Sequence, residues 1–133
     1  MKVDTLVYVL LALVVCVSLV LFWWFNSRAE RRARQLLRAV LTPEQYHHLF
    51  RWGYLDIPSP SVPQRFYRVP KAPGYVHVIE NERIQVNLCL QPLDWVPDAD
   101  FVVIHKLMIE ADEQTYLQKA NRSVPVYASR RIV

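Results

Sequence analysis

The sequence predicts an α+β protein. One N-terminal transmembrane helix continues into a basic juxtamembrane helix, followed by a small cytoplasmic domain of a short antiparallel β-meander with flanking helices. Three observations predict it. Thr5 to Phe25 runs about 21 residues without a charge, a glycine or a proline, roughly 31 Å of helix against a hydrocarbon core of about 30 Å. Ser27 to Leu41 carries no helix breaker and is rich in arginine. Beyond it, Tyr75–Ile79 and Ile84–Leu90 alternate apolar and polar residues as strands do, before helical spacing resumes at Asp98. The resulting divisions are 1–25 (short N-terminus and span), 26–41 (juxtamembrane helix), 42–121 (α+β domain) and 122–133 (basic tail).

The span closes on Phe22, Trp23, Trp24 and Phe25, aromatics suited to the headgroup level. Arg28, Arg31, Arg32 and Arg34 follow at once, so these eight residues form the candidate membrane-interface site. Lys2 and Asp4 cancel before the span, and the arginines after it place the C-terminal side in the cytoplasm and the N-terminus outside. A cleaved signal peptide needs basic residues first, a shorter apolar run and small residues where FWWF stands. An uncleaved anchor is therefore expected.

In Ser27–Leu41, Glu30 precedes Arg34 by one helical turn, a favourable pair. Leu36, Leu37, Val40 and Leu41 form an apolar stripe, expected to be covered by the protein's own domain. Thr42-Pro43-Glu44-Gln45 is a helix start with threonine as cap, proline in the first turn and Gln45 at the capping-box position. Tyr46, Leu49 and Phe50 make that helix's inward face, and Gly53 ends it. His47 and His48 point about 100° apart on the helix and lack further ligands at metal spacing, so solvated histidines are expected.

Tyr54 to Pro63, with three prolines, reads as an extended connection, a rigid linker packed along the domain. Gln64–Val69 is a short strand ended by Pro70, and Lys71–Gly74 is a turn. Tyr75–Ile79 and Ile84–Leu90 form a hairpin across Glu80-Asn81-Glu82-Arg83, with Ile84, Val86, Leu88 and Leu90 facing in. His77 lies on a strand face as a half-buried structural residue. Gln91–Pro97 is irregular, with Trp95 expected over an edge of the sheet. A helix starts at Asp98 with Phe101, Ile104, His105, Met108 and Ile109 inward. Asp112 caps a last helix through Ala120, with Tyr116, Leu117 and Ala120 inward. Arg122–Val133 reads as an extended basic tail.

Charge distribution narrows the function classes. Between Asn26 and Arg68, eight arginines stand against three acids; between Glu80 and Glu113, eight acids stand against two bases. Basic charge next to a span fits anionic lipid headgroups, each arginine contributing on the order of 1 kcal/mol. Nucleic acid would need that charge on the folded domain, which is acidic. Of two cysteines, Cys16 lies in the span and Cys89 in a strand, which offers no disulfide framework and suits a reducing compartment. Two glycines leave no room for a phosphate loop, and no Cys/His spacing fits zinc or an iron–sulfur cluster. The span has no histidine to ligate haem or a chlorophyll-type magnesium, so no cofactor and no small-molecule substrate are expected. The best catalytic set, His105, Lys106 and Glu110 with Asp112 and Glu113, places His105 and Glu110 about 140° apart on one helix. No catalytic residues are expected, and no enzyme.

The stretch from Leu41 to Asn121 resembles a small uncharacterised bacterial domain family. The resemblance rests on Tyr54-Leu55-Asp56-Ile57-Pro58-Ser59, Arg65-Phe66-Tyr67-Arg68-Val69-Pro70, Leu88-Cys89-Leu90-Gln91-Pro92, His105 to Glu110 and Tyr116 to Asn121. Glu82 stands where that family's hairpin is expected to carry glycine. The resemblance implies no activity, and with it the expected location is a bacterial inner (cytoplasmic) membrane.

The expected role is a non-enzymatic accessory subunit whose partners are the integral membrane proteins of a larger complex. A bioenergetic complex, photosynthetic or respiratory, is the type expected, by analogy with the single-span subunits such assemblies carry. The alternative is a membrane-tethered module whose acidic surface recruits a soluble partner.

Overall fold

Thirty-nine residues, Lys2–Val40, form the first helix, α1, of the computed structural model, which describes residues 2–90 and 95–125. The continuation from apolar span to basic segment follows from the absence of any glycine or proline along it. Ser18 Oγ, in the apolar stretch, donates to the Val14 carbonyl at 2.8 Å, so its hydroxyl is satisfied within the helix. The chain divides into two compact units, Met1–Arg32 and Ala33–Val133.

The second unit is α+β. Its helices beyond α1 are α2 (Pro43–Trp52), α3 (Asp98–Ala111) and α4 (Glu113–Lys119). Its strands are β1 (Tyr54–Pro58), β2 (Arg65–Pro70), β3 (Val76–Glu80), β4 (Arg83–Cys89) and β5 (Asn121–Ser123). They pair antiparallel in the order β1-β2-β3-β4-β5. Leu37 and Leu41 join a core with Leu49, Leu55, Tyr67, Val102 and Tyr116, so the apolar stripe is indeed covered by its own domain. Leu36 is the exception, 48% exposed, while Ala33 takes a buried place.

The start of α2 is as the sequence predicts: Thr42 Oγ1 accepts from Gln45 N at 3.2 Å, and Gln45 Oε1 accepts from Thr42 N at 3.1 Å. Gly53 ends the helix at φ 80°, a left-handed conformation. Only Leu49 is fully buried on it; Phe50, expected inward, is 39% exposed.

Tyr54–Pro63 is not a linker throughout. Its first half is β1, with Leu55 and Ile57 buried, because Pro58 falls at the end of the strand and Pro60 and Pro63 follow it. Asp56 and Arg68 face one another across the ladder and form a two-armed ion pair at 2.8 Å in both arms. Arg65 and Glu80 face one another between β2 and β3, with both Nε and Nη2 donating to Glu80 Oε2 at 3.1 and 3.0 Å.

The β3–β4 hairpin turns through Asn81 (φ 51°) and Glu82 (φ 62°), both left-handed, the signature of a type I′ turn. Its register shifts after Val78: Val78 faces Val86, but Ile79 faces Ile84, leaving Gln85 as the extra residue of a bulge. Neighbouring residues 78 and 79 point to opposite faces, so Val86 and Ile84 do as well. The expectation that Ile84, Val86 and Leu88 share one face fails at that bulge.

On α3 the buried residues are Ala99, Phe101, Val102, Val103, His105, Lys106 and Ile109, whereas Ile104 is 38% exposed. Phe101, His105 and Ile109 are inward as expected and Met108 is half-buried, while Val102, Val103 and Lys106 widen the buried face and Ile104 falls outside it. Asp112 caps α4 by accepting from Thr115 N at 3.0 Å. The tail expected from Arg122 begins instead as β5, pairing Asn121–Ser123 with Asn87–Cys89. Trp95, expected over an edge of the sheet, is 66% exposed. Most of Gln91–Pro97 and the tail beyond Pro125 lie outside the described residues.

Candidate functional site

The sequence-predicted interface residues all lie on α1. Phe22, Trp23, Trp24 and Phe25 are 70%, 74%, 42% and 63% exposed. Trp24 is the organised member. The Arg28 guanidinium, one turn on, sits 3.5 Å from its ring centroid, and Phe25 meets it edge-on at 5.6 Å. Ser27 Oγ donates to the Trp24 carbonyl at 2.9 Å, and Arg31 Nε donates to the Ser27 carbonyl at 3.3 Å. Helical spacing thus brings Trp24, Ser27, Arg28 and Arg31 together. Arg32 and Arg34 are exposed and join no such contact among those described.

Glu113, named from the sequence only beside Asp112, anchors a polar centre whose other members the sequence reading does not join to it. Glu113, in the first turn of α4, is 7% exposed. Its Oε1 accepts from Ser59 Oγ at 2.6 Å and from Tyr67 Oη; its Oε2 accepts from Ser61 N at 3.1 Å and Ser61 Oγ at 2.5 Å. Burial alone raises the carboxyl pKa, but the four donors outweigh it and hold Glu113 below the usual glutamate value. Burial and the adjacent Glu113 carboxylate raise the Tyr67 phenol. Four donors fill the acceptor sites of a carboxylate. The cluster therefore pins the loop Ser59–Gln64 to α4 and leaves the ionised Glu113 carboxylate no free acceptor site. Gln64 closes that loop at φ 63°, a left-handed conformation held by the structure on either side. The missed signal was Ser59-x-Ser61: two hydroxyls within one proline-set loop are a donor array needing an acceptor.

His105 and Glu110 do not meet. His105 is 1% exposed and hydrogen-bonded at 2.7 Å to Tyr116 Oη, with Phe101 against its ring at 4.2 Å between centroids. Burial lowers its pKa to about 4, so the ring is neutral at physiological pH. Glu110 instead pairs with Lys106, one turn earlier, whose buried stem carries its ammonium out to the carboxylate. Of the two remaining acids, Asp112 is a helix cap that also feels the Lys119 charge, and Glu113 is saturated.

His47 is exposed, as expected of a solvated residue, but His48 is half-buried and its Nδ1–H donates to the Tyr54 carbonyl at 3.1 Å. That bond fastens α2 to the start of β1. His77 is half-buried as anticipated, with Nδ1 2.6 Å from Oδ1 of its cross-strand partner Asn87. Among the described residues no group of three or more His, Cys, Asp or Glu side chains is placed to hold a metal ion. Comparison with protein-family models, with curated proteins and with solved structures returns no match for this chain.

Proposed function

We propose that the protein is a non-enzymatic, single-pass accessory subunit of a larger membrane protein complex. In this reading α1 crosses a bacterial cytoplasmic membrane with its N-terminus outside, and the α+β unit lies in the cytoplasm against the complex. The observation that carries it is the exposure of the apolar half of α1. That helix is long and apolar enough to span a bilayer, and none of its apolar window is buried. Every large apolar side chain from Leu6 to Phe25 is exposed, and covering each is favourable by roughly 1.5–3 kcal/mol. Lipid and neighbouring membrane helices supply that cover, and the Trp24–Arg28 pair suits the headgroup level beside it.

What the titratable groups already do supports the non-enzymatic part of this reading. Glu113 has no free acceptor site, His105 is buried and neutral, and Lys106 and Glu110 satisfy one another. Each of the four already has a partner within the protein. A photosynthetic or respiratory assembly is the proposed type, by analogy alone. A second reading, a tethered module recruiting a soluble basic partner, is favoured by Ile104 and Leu107, exposed on an α3 that also carries Asp98, Asp100 and Glu110.

Purification of the tagged chain from its native membrane in mild detergent, with sizing and mass spectrometry, tests the two. Stoichiometric integral membrane partners are expected. A monodisperse lone chain, or one carrying soluble partners only, overturns the subunit reading.

A further inference from the structure

The C-terminal end of α2 and the turn after β2 lie side by side and carry exposed rings with cations against them. Phe50, Trp52 and Tyr75 are 39%, 59% and 56% exposed. The two segments are tied by one main-chain bond, Lys71 N–H donating to the Gly53 carbonyl at 2.9 Å. Two of the rings carry their own cation: Lys71 Nζ lies 4.2 Å from the Phe50 ring centroid, and the Arg51 guanidinium lies 5.5 Å from that of Trp52. Glu44, in the first turn of the same helix, lines one groove with Arg51 and Trp52, so this face sets one carboxylate against its two cations.

We propose that this surface binds the headgroup layer of an anionic phospholipid membrane. Charge complementarity is the ground for choosing lipid. Rings with an apolar body and a wet, cation-bearing rim fit the boundary between acyl chain and headgroup. The lysine and arginine each bring a charge that complements the phosphodiester oxygens of an anionic surface. A soluble acidic protein would meet the same two charges, but it would leave three large rings to be matched by apolar contacts. A bilayer interface matches both at once without a specific fold. Gly53 gives the arrangement its shape, since its left-handed turn brings the chain from Trp52 into β1. The inference rests on the membrane reading of α1, and its test separates the two.

Trp23, Trp24, Trp52 and Trp95 are the four tryptophans of the chain. A full-length variant retaining Trp52 alone, the others changed to Phe, is reconstituted in nanodiscs of phosphatidylcholine with or without phosphatidylglycerol. A nitroxide on a fraction of the lipid headgroups serves as quencher. A second variant retaining Trp23 alone reports the span itself. The expected result is quenching of Trp52 in discs that contain phosphatidylglycerol, lost on adding Arg51→Glu and Lys71→Glu and weakened by high salt. Both substituted side chains are exposed, so folding is retained, and circular dichroism checks it. Trp23 quenched with Trp52 unquenched overturns the lipid surface and leaves the anchor standing. Quenching of Trp52 that ignores lipid charge and both substitutions overturns anionic recognition. Trp23 unquenched in every disc overturns the membrane reading, and the proposal with it.

Discussion

His105 is a buried imidazole whose only polar contact among the described residues is Tyr116 Oη, and its environment lowers its pKa from 6.5 to about 4. The folded chain therefore keeps it neutral at pH values where the unfolded chain would protonate it. Between these two values the unfolded state binds more protons, so stability falls as pH drops from 6.5 toward 4 and is fully present above 6.5. The full shift corresponds to about 3 kcal/mol. Denaturant unfolding of the full chain in detergent at a series of pH values should show this slope. The double variant His105→Phe with Tyr116→Phe, which removes both partners and leaves neither hydroxyl nor imidazole unpaired, should flatten it. A slope that survives in the double variant assigns the titration to another group. Glu113 does not confuse the reading. Its pKa is held below the ordinary carboxylate value, so its contribution is present above that value and is lost only at more acid pH.

At the scale of elements, the Glu113 cluster joins α4 to the loop between β1 and β2 with three hydrogen bonds and to β2 with a fourth, from Tyr67. Glu113→Gln replaces an acceptor oxygen with an NH2 group facing donors, and it leaves the buried Tyr67 hydroxyl or the Ser61 pair without an acceptor. The expected cost is about 3 kcal/mol, with amide exchange at Ser61 and Val62 rising most. Ser61→Ala should cost only about 1 kcal/mol, because Ser61 is exposed and water replaces it. Equal effects of the two would mean that the carboxylate is not the organising member. The cluster also marks where the sequence stops being legible. Local signals are readable within a few residues: the Thr42–Gln45 capping box, the Gly53 stop, the Asp112 cap and the β3–β4 hairpin all stand where composition puts them. Contacts 46 to 54 residues apart, such as Tyr67 to Glu113 and Ser59 to Glu113, leave no local trace. The same holds for β5, whose three residues are a strand only because β4 has a free edge to offer. β1 was legible in principle from the Leu55-x-Ile57 alternation, and the prolines beside it masked the pattern.

For the whole molecule, charge is the organising variable. The apolar part of α1 gives way to Arg28, Arg31, Arg32 and Arg34, while the N-terminal side holds Lys2 against Asp4. Under the proposed reading this asymmetry, rather than anything in the fold of the second unit, sets which side of the membrane that unit occupies, because retained positive charge near a span decides its orientation. The wild-type unit should be protected from trypsin in intact spheroplasts and digested after lysis. Changing those four arginines to Asn and adding three lysines before Val3 should invert the pattern and expose the unit outside. Arg28→Asn removes the cation from the face of Trp24, but none of the four side chains belongs to the core of the second unit. Loss of protection would therefore report orientation rather than misfolding, and far-UV circular dichroism of the purified variant would confirm retained structure. If the wild-type unit is digested in intact spheroplasts, the arginines are not a cytoplasmic retention signal. Their positions beside an aromatic band would then need a protein partner, not lipid charge, to explain them.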